Sequence, residues 1–249
     1  MNNIKYALIS SLLAGLSTTI GTIPIFFKVK NQEKIISSSC AFASGIILSI
    51  SIFDLLPESI KYFNLNNNFL TTISYSLLFI ILGIIISMIL DNYVEKKNNK
   101  NNLYKVGILS MIVLMLHNIP EGMVTFIISS KNIKLGLPIS LAIALHNIPE
   151  GISISIPIYY STKSKLKAIF YTLISSLSEP FGAIITYLFL KNIISNTLLG
   201  VLFSLIGGIM LQISTYELLP SSLVYGKKRY SYYYFFIGII LMLIILLFF

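Results

Sequence analysis

His117-Asn118-Ile119-Pro120-Glu121-Gly122 recurs as His146-Asn147-Ile148-Pro149-Glu150-Gly151. Each copy lies within a long apolar stretch, 106–129 and 137–159, where a helix sets its His and Glu four residues apart on one face. Two metal-ligand residue types therefore stack one turn apart, in each of two helices. The proline removes one backbone donor and frees the carbonyl four residues earlier, Leu116 in the first copy and Leu145 in the second. The segment between the stretches, 130–136, is short and predicts an antiparallel hairpin. In such a hairpin residues at equal depth share one sum of residue numbers. His117 with Glu150 and Glu121 with His146 have the same sum, so each histidine faces the other motif's glutamate, about a pivot at Ile133 and Lys134. At about 1.5 Å per residue the ligands lie roughly 12 to 20 Å from the hairpin end, in the middle of a hydrocarbon core about 30 Å thick.

Composition agrees with a membrane setting. A mean hydropathy of +0.85, with 55% hydrophobic and 11% charged residues in 249, excludes an ordinary soluble domain. The net charge of +9 does not point to nucleic acid, because the basic residues sit in short segments between apolar runs, where membrane orientation accounts for them. A single cysteine, Cys40, precludes an intramolecular disulfide and reads as a packing residue. The apolar run after Lys5 continues from Tyr6 to Phe27 with no small-residue cleavage site behind it, so it reads as a retained first span.

Eight apolar runs are expected, near 4–27, 35–60, 70–91, 103–129, 137–160, 166–190, 196–222 and 231–249, in one domain over 1–249. An even number puts both termini on one side. The connections 28–34, 92–105, 161–167 and 226–230 carry thirteen basic residues, against Lys5, Lys61, Lys131, Lys134 and Lys191 on the other side. Positive-inside bias then places both termini outside the cytoplasm. The Asn- and Lys-rich stretch 96–102 reads as a solvated loop, and Tyr230 to Tyr234 as an aromatic belt at the cytoplasmic boundary.

A second repeat aligns 45–59 with 208–222 at an offset of 163 residues, placing Asp54-Leu-Leu-Pro against Glu217-Leu-Leu-Pro. These are spans two and seven, which cross in opposite directions. The fold expected is all-α and integral to the membrane, with spans 1–3 and 6–8 as inverted halves around the central antiparallel pair 4–5. In secondary transporters that arrangement puts a substrate site at the midplane.

Six of the nine acidic residues, Asp54, Glu58, Glu121, Glu150, Glu179 and Glu217, fall within or near the ends of spans, and no lysine or arginine is expected there. An Asp at a span centre costs about 2.5 to 3.5 kcal/mol on insertion scales, so the compensating charge is expected from outside the protein. Protons or metal cations are the candidates, and imidazole plus carboxylate without thiolate suits Zn²⁺, Fe²⁺, Mn²⁺ or Cd²⁺ rather than Cu⁺. Glu179, midway along span six in Ser-Glu-Pro, is a further carboxylate ligand by depth.

The doubled His-Asn-x-Pro-Glu-Gly, the Ser-Glu-Pro of span six and the paired Asp/Glu-Leu-Leu-Pro together resemble the ZIP (Zrt/Irt-like) metal transporters, in their bacterial ZupT-like branch. The resemblance covers essentially the whole chain. It implies eight spans with both termini outside, one metal site from His117, Glu121, His146 and Glu150, and an adjoining site from Asn118, Asn147 and Glu179 with the same glutamates bridging. Many eukaryotic members carry a long His-rich loop between spans three and four; here that loop is short and has no histidine.

The function expected is uptake of divalent metal into the cytoplasm through a His/Glu/Asn site, binuclear on the family pattern. Zinc leads, with iron, manganese, cobalt and cadmium also accepted, because neutral Asn oxygens beside imidazoles and carboxylates make a permissive shell. Asp54 and Glu58 near one end and Glu217 near the other are the expected entrance and exit carboxylates. Asn147→Asp, by adding a negative charge, is expected to tighten binding. No prosthetic group is expected; the partners are the transported ion and the bilayer, and a homodimer is compatible with such a chain. The competing expectation is an intramembrane metal-dependent hydrolase, against which stand the lack of a His-Glu-x-x-His motif and the inverted halves.

Overall fold

The computed structural model describes residues 2–65, 68–97, 102–190 and 195–248. Among these, eight helices are long and apolar enough to cross a membrane: α1 (Asn3–Phe26), α2 (Gln32–Asn64), α3 (Phe69–Val94), α4 (Leu103–Lys131), α5 (Ile133–Thr162), α6 (Lys165–Phe189), α7 (Asn196–Tyr225) and α8 (Lys228–Phe248). Several start earlier than hydropathy alone predicts because polar caps recruit the preceding residues. Asn31 accepts from the Lys34 amide at 3.0 Å, so α2 starts at Gln32 and not near 35, and Asn132 accepts from the Lys134 amide at 3.0 Å, so α5 starts at Ile133 and not near 137. The loop expected at 96–102 falls largely on residues outside those described.

The α4–α5 connection is tighter than the sequence suggests. Helix runs to Lys131 and resumes at Ile133, leaving Asn132 alone between them as an extended residue whose side chain accepts from the Lys134 amide at 3.0 Å. An Asx cap does in one residue what a seven-residue loop was expected to do. The predicted register holds: Gly107 meets Ile158 and Gly136 meets Ser129, pairs with almost the same residue sum as His117 and Glu150.

The helices form two bundles. In one, α1 packs on α4 and α5, and α6 packs on α4 and α5; in the other, α2 packs on α8 and α3 on α7. The inverted repeat is visible in both. Gly151 sits against the Thr18 carbonyl of α1, and Gly122, at the same place in the other motif, sits against the Glu179 carbonyl of α6. Gly45 of α2 sits against the Phe235 carbonyl of α8, while its repeat mate Gly208 of α7 sits against the Ile80 carbonyl of α3. Small residues let backbones approach where lipid supplies no hydrophobic drive. The outer faces of α3 and α8, including Ile81, Ile85, Phe236 and Ile240, are apolar and exposed.

Helices α2 and α7 share a further feature. Each passes into a π-turn, Ser51–Leu55 and Ile213–Leu218, closed by Leu56 N–H on the Ser51 carbonyl and Leu219 N–H on the Ser214 carbonyl. These bonds are related by the same 163-residue offset. The prolines that follow, Pro57 and Pro220, cannot donate, so the wider turn absorbs the residue they leave unpaired. Asp54 and Glu217 sit inside the two turns.

Candidate metal centre

The two motifs meet where the residue sums place them. His146 Nε2 lies 3.0 Å from Glu121 Oε1; His117 Nε2 lies 3.2 Å from the same oxygen and 3.7 Å from Glu150 Oε1. The imidazole rings are 6.4 Å apart between centroids. One ligand atom each from His117, Glu121 and His146 falls within 4.8 Å of the others, close enough to share one ion. All four residues are buried, with Glu150 fully so.

Beside this trio lies a second group. Asn147 Nδ2 donates to Glu179 Oε2 at 2.9 Å and to the Ala14 carbonyl at 3.0 Å, and Asn118 Nδ2 donates to the Ser175 carbonyl at 3.3 Å. A backbone carbonyl only accepts, so these contacts fix which amide atom is nitrogen and leave each Oδ1 free. Both Oδ1 atoms, both oxygens of Glu150, Glu121 Oε2, Glu179 Oε1 and His117 Nδ1 are buried without a hydrogen-bond partner. Buried polar atoms are normally bonded, and so many unpartnered acceptors in one place call for a cation. Helix α6 breaks at Leu177, directly before Ser178-Glu179-Pro180, which presents Glu179 from the start of a new helix. Carboxylates, imidazoles and neutral amide oxygens without sulfur form a donor set for a borderline divalent ion.

The structure changes the expectation for Asn147→Asp. Asn147 uses its nitrogen as a donor to two acceptors. An aspartate there turns both contacts into oxygen against oxygen, so tighter binding no longer follows from the added charge alone.

A cavity of about 320 Å³ reaches the trio from the side on which both chain ends lie. Glu121 and His146 line its floor, Asp54 and Ile143 its walls, and Glu58, Lys61 and Tyr62 its mouth. Toward the opposite, basic side, Val106, Leu109, Val113, Ile154 and Ile158 close the space between α4 and α5 as fully buried apolar side chains. Asp54 thus joins the trio's cavity, Glu58 stands at its mouth paired with Lys61 at 2.7 Å, and Glu217 stands apart near the basic side.

The expectation that no cation lies within the spans is corrected. Lys105, counted with the loops, sits buried in the first turn of α4, with its Nζ 2.6 Å from Asp91 Oδ1 and 3.4 Å from Glu217 Oε1. A long aliphatic stem lets a lysine at a span end carry its charge inward, which a count of residues per segment does not register. Glu217 therefore has a protein counter-ion and Glu58 has one in Lys61, whereas the ion pairs among the described residues give Glu121 and Glu150 only histidines. The argument for an external cation rests on the central residues.

The sequence matches the family model described as ZIP Zinc transporter over residues 95–246. It is 35% identical to the zinc transporter ZupT of Clostridium perfringens, covering 91% of this chain and 90% of that one. It is also 35% identical to ZupT of Streptococcus mutans, covering 89% of each, and 34% identical to ZupT of Stenotrophomonas maltophilia, covering 90% and 88%. With both motifs joined in one buried cluster and the relatives matched nearly end to end, the chain belongs to the ZIP zinc transporter family.

Proposed function

We propose that this chain takes up divalent transition metals across the cell membrane into the cytoplasm. Zinc is the leading substrate, and iron, manganese, cobalt and cadmium are accepted by the same site. The observation that carries this reading is the convergence of both motifs on one buried set of unpartnered acceptors, reached by a cavity from the side of the chain ends. His117, Glu121, His146 and Glu150 would hold one ion, and Asn118, Asn147 and Glu179 with the glutamates a second. Asp54 and Glu58 would receive the ion, and Glu217 would lie on its way out. The inverted halves supply a means of alternating access that a hydrolase has no use for, and membership of a transporter family argues against the enzyme reading. The whole of 1–249 works as one transport unit, with lipid covering the outer faces of α3 and α8.

Purified protein in liposomes should take up radiolabelled Zn²⁺, and excess Cd²⁺ should inhibit that uptake. Zinc uptake that Cd²⁺ leaves untouched would refute the permissive site. Orientation follows from the distribution of basic residues, which favours termini outside. In a Cys40→Ser background, a cysteine replacing Lys131 should react in whole cells with an impermeant reagent, and one replacing Lys165 should not; the reverse pattern would make the protein an exporter.

A further inference from the structure

The two central motifs are the ends of a longer repeat. Lys105-Val106-Gly107 precedes His117 by the same distance as Lys134-Leu135-Gly136 precedes His146. The symmetry that exchanges α4 with α5 and α2 with α7 therefore exchanges Lys105 with Lys134, and Glu217 with Asp54. The structure obeys this symmetry in its packing and breaks it in its charges. On the basic side Lys105, from the motif-bearing bundle, is buried between Asp91 of α3 and Glu217 of α7, both in the other bundle. On the terminal side Asp54 lines the open cavity, and Lys134 is exposed and takes part in none of the ion pairs among the described residues. One lysine is docked across the bundle interface and its mate is not.

We propose that Lys105 and Lys134 are alternating latches: Lys105 docked on Glu217 and Asp91 holds the basic side shut while the cavity is open on the terminal side, and Lys134 docked on Asp54 holds the terminal side shut in the opposite state. This rests on the alternating-access reading above. The direction of movement is consistent with the positions. Sliding α4 and α5 toward the basic side withdraws Lys105 into solvent and carries Lys134, at the outer start of α5, down toward the level of Asp54. Each exchange covers one of the two carboxylates as it exposes its mate to water, so neither Glu217 nor Asp54 is left desolvated without a partner in either state. In the present arrangement Glu217 is only 7% exposed, and without Lys105 that burial would be unfavourable.

The test uses the full chain in liposomes, in a Cys40→Ser background with Ala142→Cys as a reporter in the cavity wall. Reaction of Cys with an impermeant maleimide added on the terminal side, without metal, reads the fraction of molecules open to that side. Lys105→Gln should lower the open-to-closed ratio about tenfold, as expected for losing an interaction of roughly 1.4 kcal/mol in one of two states, and slow labelling accordingly, about fivefold from equal populations. Adding Lys134→Gln should restore the parental rate, because it removes the mate's hold on the opposite state. An unchanged rate in Lys105→Gln, or no restoration in the double variant, overturns the proposal. Should Lys105→Gln fold poorly, Lys134→Gln alone, at an exposed residue, should raise the open-to-closed ratio about tenfold and so speed labelling, and an unchanged rate there overturns the proposal as well. Labelling requires no transport, so zinc uptake by the parent liposomes judges the transport reading separately.

Discussion

His117→Ala, Glu121→Ala and Glu150→Ala should each reduce metal uptake by more than about 100-fold while the protein continues to insert and fold. Loss of an outer-shell partner of a metal ligand already costs 10- to 100-fold, and these three residues would be ligands themselves. Glu121 carries the largest effect, since its Oε1 lies within 3.2 Å of both histidines and it lines the cavity floor. Insertion survives because each substitution removes a buried polar group whose desolvation opposes the folded state, and Glu150 in particular has neither oxygen hydrogen-bonded. The measurement is uptake in liposomes normalised to monodisperse protein recovered in detergent. Normal uptake by both Glu121→Ala and Glu150→Ala would mean that the cluster is not the transport site.

The second large effect concerns the glycines that end the two motifs. A Cβ on Gly122 would run into the Glu179 carbonyl, and one on Gly151 into the Thr18 carbonyl, both backbone atoms of a neighbouring helix. Backbone has no alternative rotamer, so α1 or α6 must move away, and overpacking of this kind costs roughly 1 to 3 kcal/mol. Gly122→Ala and Gly151→Ala should therefore lower the thermal midpoint and the folded yield. Gly207→Ala is the control: its nearest neighbour would be Leu55 Cβ at 3.6 Å, and a helical Gly→Ala change gains about 0.5 to 1 kcal/mol. It should match or exceed the parent. Equal losses at all three positions would indicate that glycine is needed for helix flexibility, not for close approach.

Much of this protein is written locally. Spans are set by runs of apolar residues long enough to cross a bilayer, and their number depends on nothing beyond the chain. The pairing of His117 with Glu150 and Glu121 with His146 was likewise legible, because a short connection and helical rise fix depth by arithmetic. The inverted halves could be read from Asp54-Leu-Leu-Pro and Glu217-Leu-Leu-Pro, since repeated sequence in helices of opposite direction leaves few alternatives. Three things required the tertiary structure. Register along a hairpin does not determine which helices flank it, so only packing shows α1 and α6 delivering the Ala14 and Ser175 carbonyls that orient Asn147 and Asn118. Linear distance cannot show that Lys105 reaches Asp91 and Glu217 together, because that contact joins α4 and the preceding α3 to α7, 112 residues further along the chain. Nor can a sequence that is nearly symmetric in its two halves say which side stands open. That choice belongs to one conformation, in which Glu217 is covered and Asp54 is not.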